Sequence, residues 1–214
     1  CALEADGQNV VVTYQGHLTS GRNAFTGNGR FKFAVVRTSR QATATATVGC
    51  VDTLFNNCVS YGVTGVTVLD GGSGYTNVPT VSLTGPLFGG GTPTAVAVVS
   101  NGVVIAINVT ATLNALLSFS SSVTIDPPSP FESTWSNDGM SVTGSEPTMW
   151  VDVPVTNGLF TVALGDTNAA NMSPLPATAF AGTEPILKIW FDDGTNGFAL
   201  LNPPHRVTAA PRAA

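Results

Sequence analysis

Residues 149–164 read MWVDVPVTNGLFTVAL, with two apolar runs, Met149 to Val155 and Leu159 to Leu164, flanking Asn157-Gly158. Asn-Gly between such runs is a strong signal for a tight hairpin, because both central positions of a type I′ turn need positive φ. A second hairpin is read from Ile186 to Phe191 and Phe198 to Leu201, joined by Asp192-Asp193-Gly194-Thr195-Asn196-Gly197. In its first strand Leu187, Ile189 and Phe191 share one face and Ile186, Lys188 and Trp190 the other, which is the two-residue period of a strand. Between the hairpins, Pro174 and Pro176 leave Asn168 to Phe180 at most a helical turn. Upstream, Val10, Val12, Tyr14 and Leu18 share one parity while Val11, Thr13, Gln15 and His17 take the other. A strand from Arg30 to Arg37 puts Phe31, Phe33 and Val35 on one face, and Gly21, Asn23, Gly27, Asn28 and Gly29 ahead of it read as a loop or wide hairpin. A last strand is expected over Arg206 to Ala210. The fold class expected is all-β, a β-sandwich.

Composition agrees with strands. Of 214 residues 43% are hydrophobic and only 10% charged, against about 25% charged in an average soluble domain. High hydrophobicity with low charge excludes a disordered tail. Gly, Pro, Thr and Val are abundant and Lys32 and Lys188 are the two lysines, a poor composition for helices. The net charge is -5, with eight Lys and Arg scattered singly, so there is no basic stripe for phosphates and nucleic acid is not an expected partner. No apolar run reaches the 18 or more residues of a spanning helix.

From residue 42 the texture changes to Ala, Thr, Val and Gly, and the segment matches itself. Val63 to Val68 aligns with Val104 to Val109, Val81-Ser82-Leu83 with Val123-Thr124-Ile125, and Thr45 to Val48 loosely with Thr94 to Ala97. These are two short β units, about 42–91 and 92–128. The first carries Asp70-Gly71-Gly72-Ser73-Gly74-Tyr75 and then Pro79, where the second has Leu113-Asn114-Ala115-Leu116-Leu117. Asp126-Pro127-Pro128-Ser129-Pro130 ends the insert, because consecutive prolines cannot donate to a ladder. The expected organisation is therefore a discontinuous sandwich body, 1–41 plus 119–214, and an inserted β-repeat subdomain, 42–118, whose far boundary extends to about 128.

Cys50 and Cys58 bracket a polar segment, Val51 to Asn57, over which a disulfide closes a small loop if the flanking strands approach. Such a bridge implies an oxidising compartment; free buried thiols are the other reading. Cys1 is left over. With no methionine and no apolar leader ahead of it, an export signal is expected to have been removed, and Cys1 is then a candidate for lipidation, for a link to a neighbouring subunit, or simply a free thiol.

Chemistry is sparse. A nucleophilic triad needs a base and an orienting carboxylate, and only His17 and His205 are available. Ser73 lacks the last glycine of a nucleophile elbow; its glycines serve a turn. The glycines at 27, 29 and 89–91 lack the strand-to-helix context of a phosphate loop. Asp138, Glu146, Asp152 and Asp166 would have to converge to make a glycosidase pair. Calcium is the one ion to weigh, with Asp138, Asp192 and Asp193 as weak ligand candidates, but neither segment has the EF-hand spacing and Asp-Gly also makes turns. No other cofactor is expected. Trp135, Trp150 and Trp190 are either core or a sugar-stacking face. Asn108-Val109-Thr110 and Asn171-Met172-Ser173 are glycosylation sequons by pattern.

Tyr14-Gln15-Gly16-His17-Leu18, Gly29 to Ala34, Trp135 to Gly139, Asn157 to Val162, Leu164-Gly165-Asp166, Trp190 to Gly194 and the closing Leu201-Asn202-Pro203 to Ala210-Pro211 resemble a module of large secreted proteins from bacteria such as planctomycetes and verrucomicrobia. The insert resembles the Gly-Ser-Gly-Tyr repeats of bacterial and phage surface proteins, through Gly72 to Thr76 and Val78 to Val81. The resemblance implies an extracellular β-sandwich, Ig-like or jelly-roll-like, in fibres or surface proteins, with no catalytic residue to carry over. The expected function is a non-enzymatic subunit of an extracellular filament, a homopolymer built by β-strand complementation. Gln8 to Leu18 is the candidate donor strand through Val10, Val12, Tyr14 and Leu18, its other reading being an ordinary first strand. The alternative is an adhesin or carbohydrate-binding module whose partners are cell-surface glycans.

Overall fold

The computed structural model describes residues 9–20, 23–84, 93–111, 122–181, 184–202 and 205–207. Its strands are β1 (Asn9–Val10), β2 (Val12–His17), β3 (Thr19–Ser20), β4 (Asn23–Ala24), β5 (Gly27–Thr38), β6 (Thr43–Leu54), β7 (Asn57–Asp70), β8 (Thr80–Thr84) and β9 (Thr94–Ser100). They continue as β10 (Val103–Ala111), β11 (Ser122–Ile125), β12 (Phe131–Ser136), β13 (Val151–Thr156), β14 (Leu159–Leu164), β15 (Leu175–Pro176), β16 (Ile186–Asp192), β17 (Ala199–Leu200) and β18 (His205–Arg206). The protein is all-β and sandwich-like; the one other regular element among the described residues is a 3-10 turn over Ala177–Phe180.

Two compact units divide the chain, Cys1–Arg37 with Glu132–Ala214, and Thr38–Phe131. The sequence repeat runs to about residue 128, and the smaller unit contains it, with β11 paired to β8 over Ser122 to Ile125. Arg40 and Gln41 fall there too, the first receiving Ser73 N–H on its carbonyl and the second donating from its side-chain amide to Ile125 O.

The larger unit is built on an eight-stranded sheet in the order β17-β16-β5-β13-β14-β2, with β12 also on β5 and β18 on β16, and carries two small two-stranded sheets, β1 with β15 and β3 with β4. The Asn157-Gly158 turn forms with φ of 51° and 80°, so β13 and β14 pair with Val155 opposite Phe160. On β13, Val151, Val153 and Val155 are buried between exposed Asp152, Pro154 and Thr156. The central strand β5 departs from simple alternation, since Phe31 to Val36 are buried on both faces. Phe31, Phe33 and Val35 join the main core with Trp135, Phe160, Leu164, Leu175, Leu187 and Ile189. On the other face Lys32 donates to Glu146 at 2.6 Å and lies over the Phe198 ring, while Lys188 donates to Gly144 O at 3.0 Å. Both lysines are therefore spent on closing that face, and burial pushes the Lys188 ammonium below its usual pKa.

In the smaller unit the two sequence repeats become equivalent strands, β6-β7-β8 and β9-β10-β11. Each begins with a hairpin, β6 with β7 and β9 with β10. The third strands then pair with each other, Val81 opposite Ile125, Ser82 opposite Thr124 and Leu83 opposite Val123. Because Val81 to Leu83 is the counterpart of Val123 to Ile125, this antiparallel register is a local two-fold axis through Ser82 and Thr124. β8 also pairs β9 of the other repeat, β10 runs beside β7 and β11 beside β6, so the repeats interlock and curl round one small core. Its lining is short: Ala42, Ala97, Val104, Ile107 and Ile125, with Ala44, Val66, Val81 and Ala95 packed on. Thr43, Thr45 and Thr47 face outward. Tyr75 fills the end, its phenol accepting Ala42 N–H at 2.8 Å and donating to Asp126 O at 3.3 Å. That is the work of the Gly-Gly-Ser-Gly-Tyr turn. Gly72, at φ of 67°, lies so close to the backbone of Arg40 and Gln41 that no side chain fits.

One buried amide ties the larger unit together. Asn137, 0% exposed, accepts Phe33 N–H at 2.8 Å and donates to Met149 O at 2.9 Å and Asn171 O at 3.2 Å. Replacing it by the similarly shaped Leu leaves one buried N–H and two carbonyls short of partners, at about 1 kcal/mol or more each. Asn137→Leu should therefore lower stability by about 3 kcal/mol, read from the denaturant midpoint; an unchanged midpoint contradicts this role.

Candidate functional site

The segment read as a donor strand lies at the edge of the larger sheet. β2 pairs β14 antiparallel over six residues, from Val12 opposite Leu164 to His17 opposite Leu159, and stands last in the strand order, with no strand on its outer side among the described residues. Val10, Val12, Tyr14 and Leu18 are brought together on the inner face: Leu18 is buried and the other three pack against the main core. In this structure β2 thus completes the sheet of its own chain, while Asn9 and Val10 ahead of it pair with Pro176 and Leu175 of β15; Gln8 lies outside the described residues.

Its seat has a defined shape. The Phe160 ring lies over Gly16, where a Cβ would stand 2.6 Å from Cε1 and Cζ. Phe160 is held there by Phe31 at 4.5 Å and Tyr14 at 5.9 Å between ring centroids. A slip of two residues keeps the same face inward but brings Tyr14 or Leu18 to the position of Gly16, into space the Phe160 ring occupies. Gly16 therefore fixes the register. Tyr14 also meets the His205 ring edge-on at 5.8 Å, and burial pushes its phenol above the usual value. Leu18 N–H donates to Gly158 O at 2.9 Å, fastening the end of the strand to the hairpin turn.

The three aspartates weighed as calcium ligands are each engaged locally. Asp138 accepts Met140 N–H, Met149 N–H and the Ser136 hydroxyl at 2.8–3.1 Å. Burial, the largest single influence, pushes its pKa up, but hydrogen bonds from Met149, Met140, Ser136 and Thr148 together hold it below the ordinary 3.8. Asp192 faces Arg30 at 3.5 Å and caps Gly194 N–H. Asp193 accepts Thr195 N–H and hydroxyl and Asn196 N–H. Among the described residues no three His, Cys, Asp or Glu side chains gather into a metal-binding group.

Other candidates find structural places. Ser73 Oγ accepts Arg40 N–H. Trp135 and Trp190 are buried, and Trp150 lies between Arg30, 5.2 Å from its ring centre, and Phe198. The Asn171 side chain donates to Trp150 O. An open groove of about 570 Å³ runs past Asp138, Met149, Asn168 and Asn171. Cys50 and Cys58 form the disulfide, with Cα atoms 5.7 Å apart; Cys1 lies outside the described residues.

Between those cysteines the sequence reading saw a polar loop, whereas the structure has a stapled hairpin end. β6 and β7 continue to Leu54 opposite Asn57, and Phe55-Asn56 make a two-residue turn with φ of 50° and 63°. Phenylalanine is a poor residue for the left-handed region, at a cost of about 1 kcal/mol. Its ring is 89% exposed, and Leu54 beside it 57%. The signal was available in the spacing: an eight-residue separation between bonded cysteines leaves room for two short strands and a tight turn.

Fold and site define an all-β protein with a register-locked edge strand. In comparisons with known proteins, no family model, no curated sequence and no solved structure matches the chain.

Because the folded pKa of Asp138 is depressed, its contribution is present at neutral pH and is lost as pH falls below about 4 through the folded value. Asp138→Asn should lower the melting temperature at pH 7, by about 1–2 kcal/mol of stability, and flatten the fall in melting temperature from pH 5 to pH 2. Equal acid sensitivity in the variant contradicts the assignment.

Proposed function

We propose that the protein is a non-enzymatic structural subunit of an extracellular filament or surface fibre, joined to further copies of itself by exchange of the β2 segment. The observation that carries this reading is the seat of that segment: an edge strand, bonded along one side only among the described residues, whose inner residues enter the main core in one register. In the isolated chain β2 fills its own seat; in the polymer the same contacts join neighbours, so exchange costs little beyond opening the connection. β2 carries no Lys, Arg, Asp, Glu or Pro, the residues by which exposed edges are ordinarily guarded. The Cys50–Cys58 disulfide supports an oxidising, extracellular setting, and no helix among the described residues is long and apolar enough to cross a membrane.

A second reading, a glycan-binding surface module, is favoured by the open groove beside Asp138, Asn168 and Asn171, a polar lining of the kind that meets sugar hydroxyls. It ranks second because Trp135 and Trp190 are buried and offer no stacking face.

Negative-stain electron microscopy of the purified full chain over a range of concentrations should show regular filaments. An excess of the synthetic peptide Gln8 to Leu18 should shorten them by capping free seats, whereas the same peptide with Gly16→Val should not. Monodisperse particles at every concentration contradict the filament reading and direct the work to glycan arrays.

A further inference from the structure

Asp126–Pro127 is the one Asp-Pro bond in the sequence. An aspartate carboxylate stands one ring closure away from its own main-chain carbonyl: attack on that carbon makes a five-membered anhydride, and the reacting groups, held in one residue, need no encounter. Proline is the residue most easily lost from the other side, because its nitrogen departs as a basic secondary amine.

The fold adds a donor at the carbonyl that would carry the charge. The Tyr75 hydroxyl donates to Asp126 O at 3.3 Å. A phenol has one proton, and because the same oxygen accepts Ala42 N–H at 2.8 Å, that proton is directed at the Asp126 carbonyl. Tyr75 is buried, so the donor keeps its place. On either side of it the backbone is fixed as well: Asp126 N–H donates to Thr80 O at 3.0 Å, and Ile125 O accepts the Gln41 side-chain amide. Asp126 and Pro127 themselves are exposed, and the Asp126 carboxylate has no hydrogen-bond or ion-pair partner among the described residues, so nothing restrains it from turning onto its own carbonyl. An open notch lined by Tyr75, Thr76, Asn77, Pro127 and Pro128 runs beside the bond and admits water.

We propose that the chain cleaves itself between Asp126 and Pro127, with Tyr75 as the oxyanion donor. A carboxylate oxygen of Asp126 bonds to the Asp126 carbonyl carbon, and the negative charge passes to the carbonyl oxygen, where the Tyr75 hydroxyl meets it. The charge returns, the C–N bond breaks, and its electron pair leaves on the Pro127 nitrogen, which takes a proton from water. A water molecule then opens the anhydride, so that one peptide bond and one water become an Asp126 α-carboxylate and a new N-terminal proline. Residues 1–126 carry β1 to β11 and residues 127–214 carry β12 to β18. In the larger unit β5 lies between β13 and β16, and β2 pairs β14; the cut therefore leaves the sheet joined by its ladders, with β2 and its seat in two polypeptides. It needs one chain only and does not depend on the filament reading.

The test holds the full chain in a mildly acidic buffer in which its circular dichroism stays native, beside the same chain unfolded by urea in that buffer. Both are followed by denaturing gel, intact mass and sequencing of any new N-terminus. The native sample should release a fragment beginning at Pro127 roughly tenfold faster or more than the unfolded one, where the bond has only its intrinsic lability. Tyr75→Phe should bring the native rate down to the unfolded rate and leave the unfolded rate unchanged. Asp126→Asn, at an exposed position, should slow the cut in both samples. Native cleavage no faster than unfolded cleavage, a new N-terminus at any other residue, or an undiminished native rate in Tyr75→Phe overturns the proposal. The native-to-unfolded ratio of the unaltered chain decides it even where Tyr75→Phe disturbs the fold.

Discussion

Six residue pairs between Val12–His17 and Leu159–Leu164 close the main core of the larger unit, and the remaining structure is arranged so that this seam has one solution. Phe160 is the fixed half: its ring is held between Phe31 and Tyr14 and takes the space a side chain at position 16 would need. Gly16 is the matching half. Remove the strand and Phe160, Val162 and Leu164 lose their cover at once, at roughly 1.5–3 kcal/mol for each large apolar side chain returned to water. The seam therefore has to be filled by β2 of the same chain or by an equivalent strand from another.

The smaller unit solves the same problem internally. Neither repeat closes a core alone, and the two do so by exchanging pairings: β8 of the first joins β9 of the second, and β8 and β11 meet about their own local two-fold axis. Small residues make this geometry possible. Ala42, Ala44, Ala95 and Ala97 line the inside, where bulkier side chains would hold the strands apart, and the Thr residues at 43, 45 and 47 satisfy the outer face. Strand sharing within the chain is observed; the strand exchange between chains that we propose would extend the same backbone pairing to the β2–β14 seam.

Much of the fold was legible because strands announce themselves by period. The Asn157-Gly158 hairpin, the faces of β16 and the repeat from Val63 to Val68 against Val104 to Val109 follow from turn chemistry and alternation alone. What failed to show were matters of pairing in space. The far boundary of the insert stays open between 118 and 128 in the sequence because Ser122 to Ile125 resembles any strand until its partner, β8, is known. β5 defied the alternating pattern because Lys32 and Lys188 bend over its second face, so two polar residues mark a buried surface. In the candidate site, the inner parity of Val10, Val12, Tyr14 and Leu18 was readable, but the role of Gly16 was not, since it depends on a ring 144 positions away that only the fold brings near. The three aspartates looked alike in sequence and differ in place: one caps a folded loop, one faces an arginine, one shapes a turn.

Strand exchange is tested most directly across the seam itself. Gln15 and Thr161 are opposite one another on β2 and β14, both exposed, so cysteines placed at both positions, in a chain with Cys1→Ser, will bond wherever the seam forms. The assembled protein is oxidised, boiled without reductant and separated by size. A ladder of covalent multimers is the result the account predicts, since each bond then joins two chains; a single monomer band whose cysteines are bonded within one chain would contradict it.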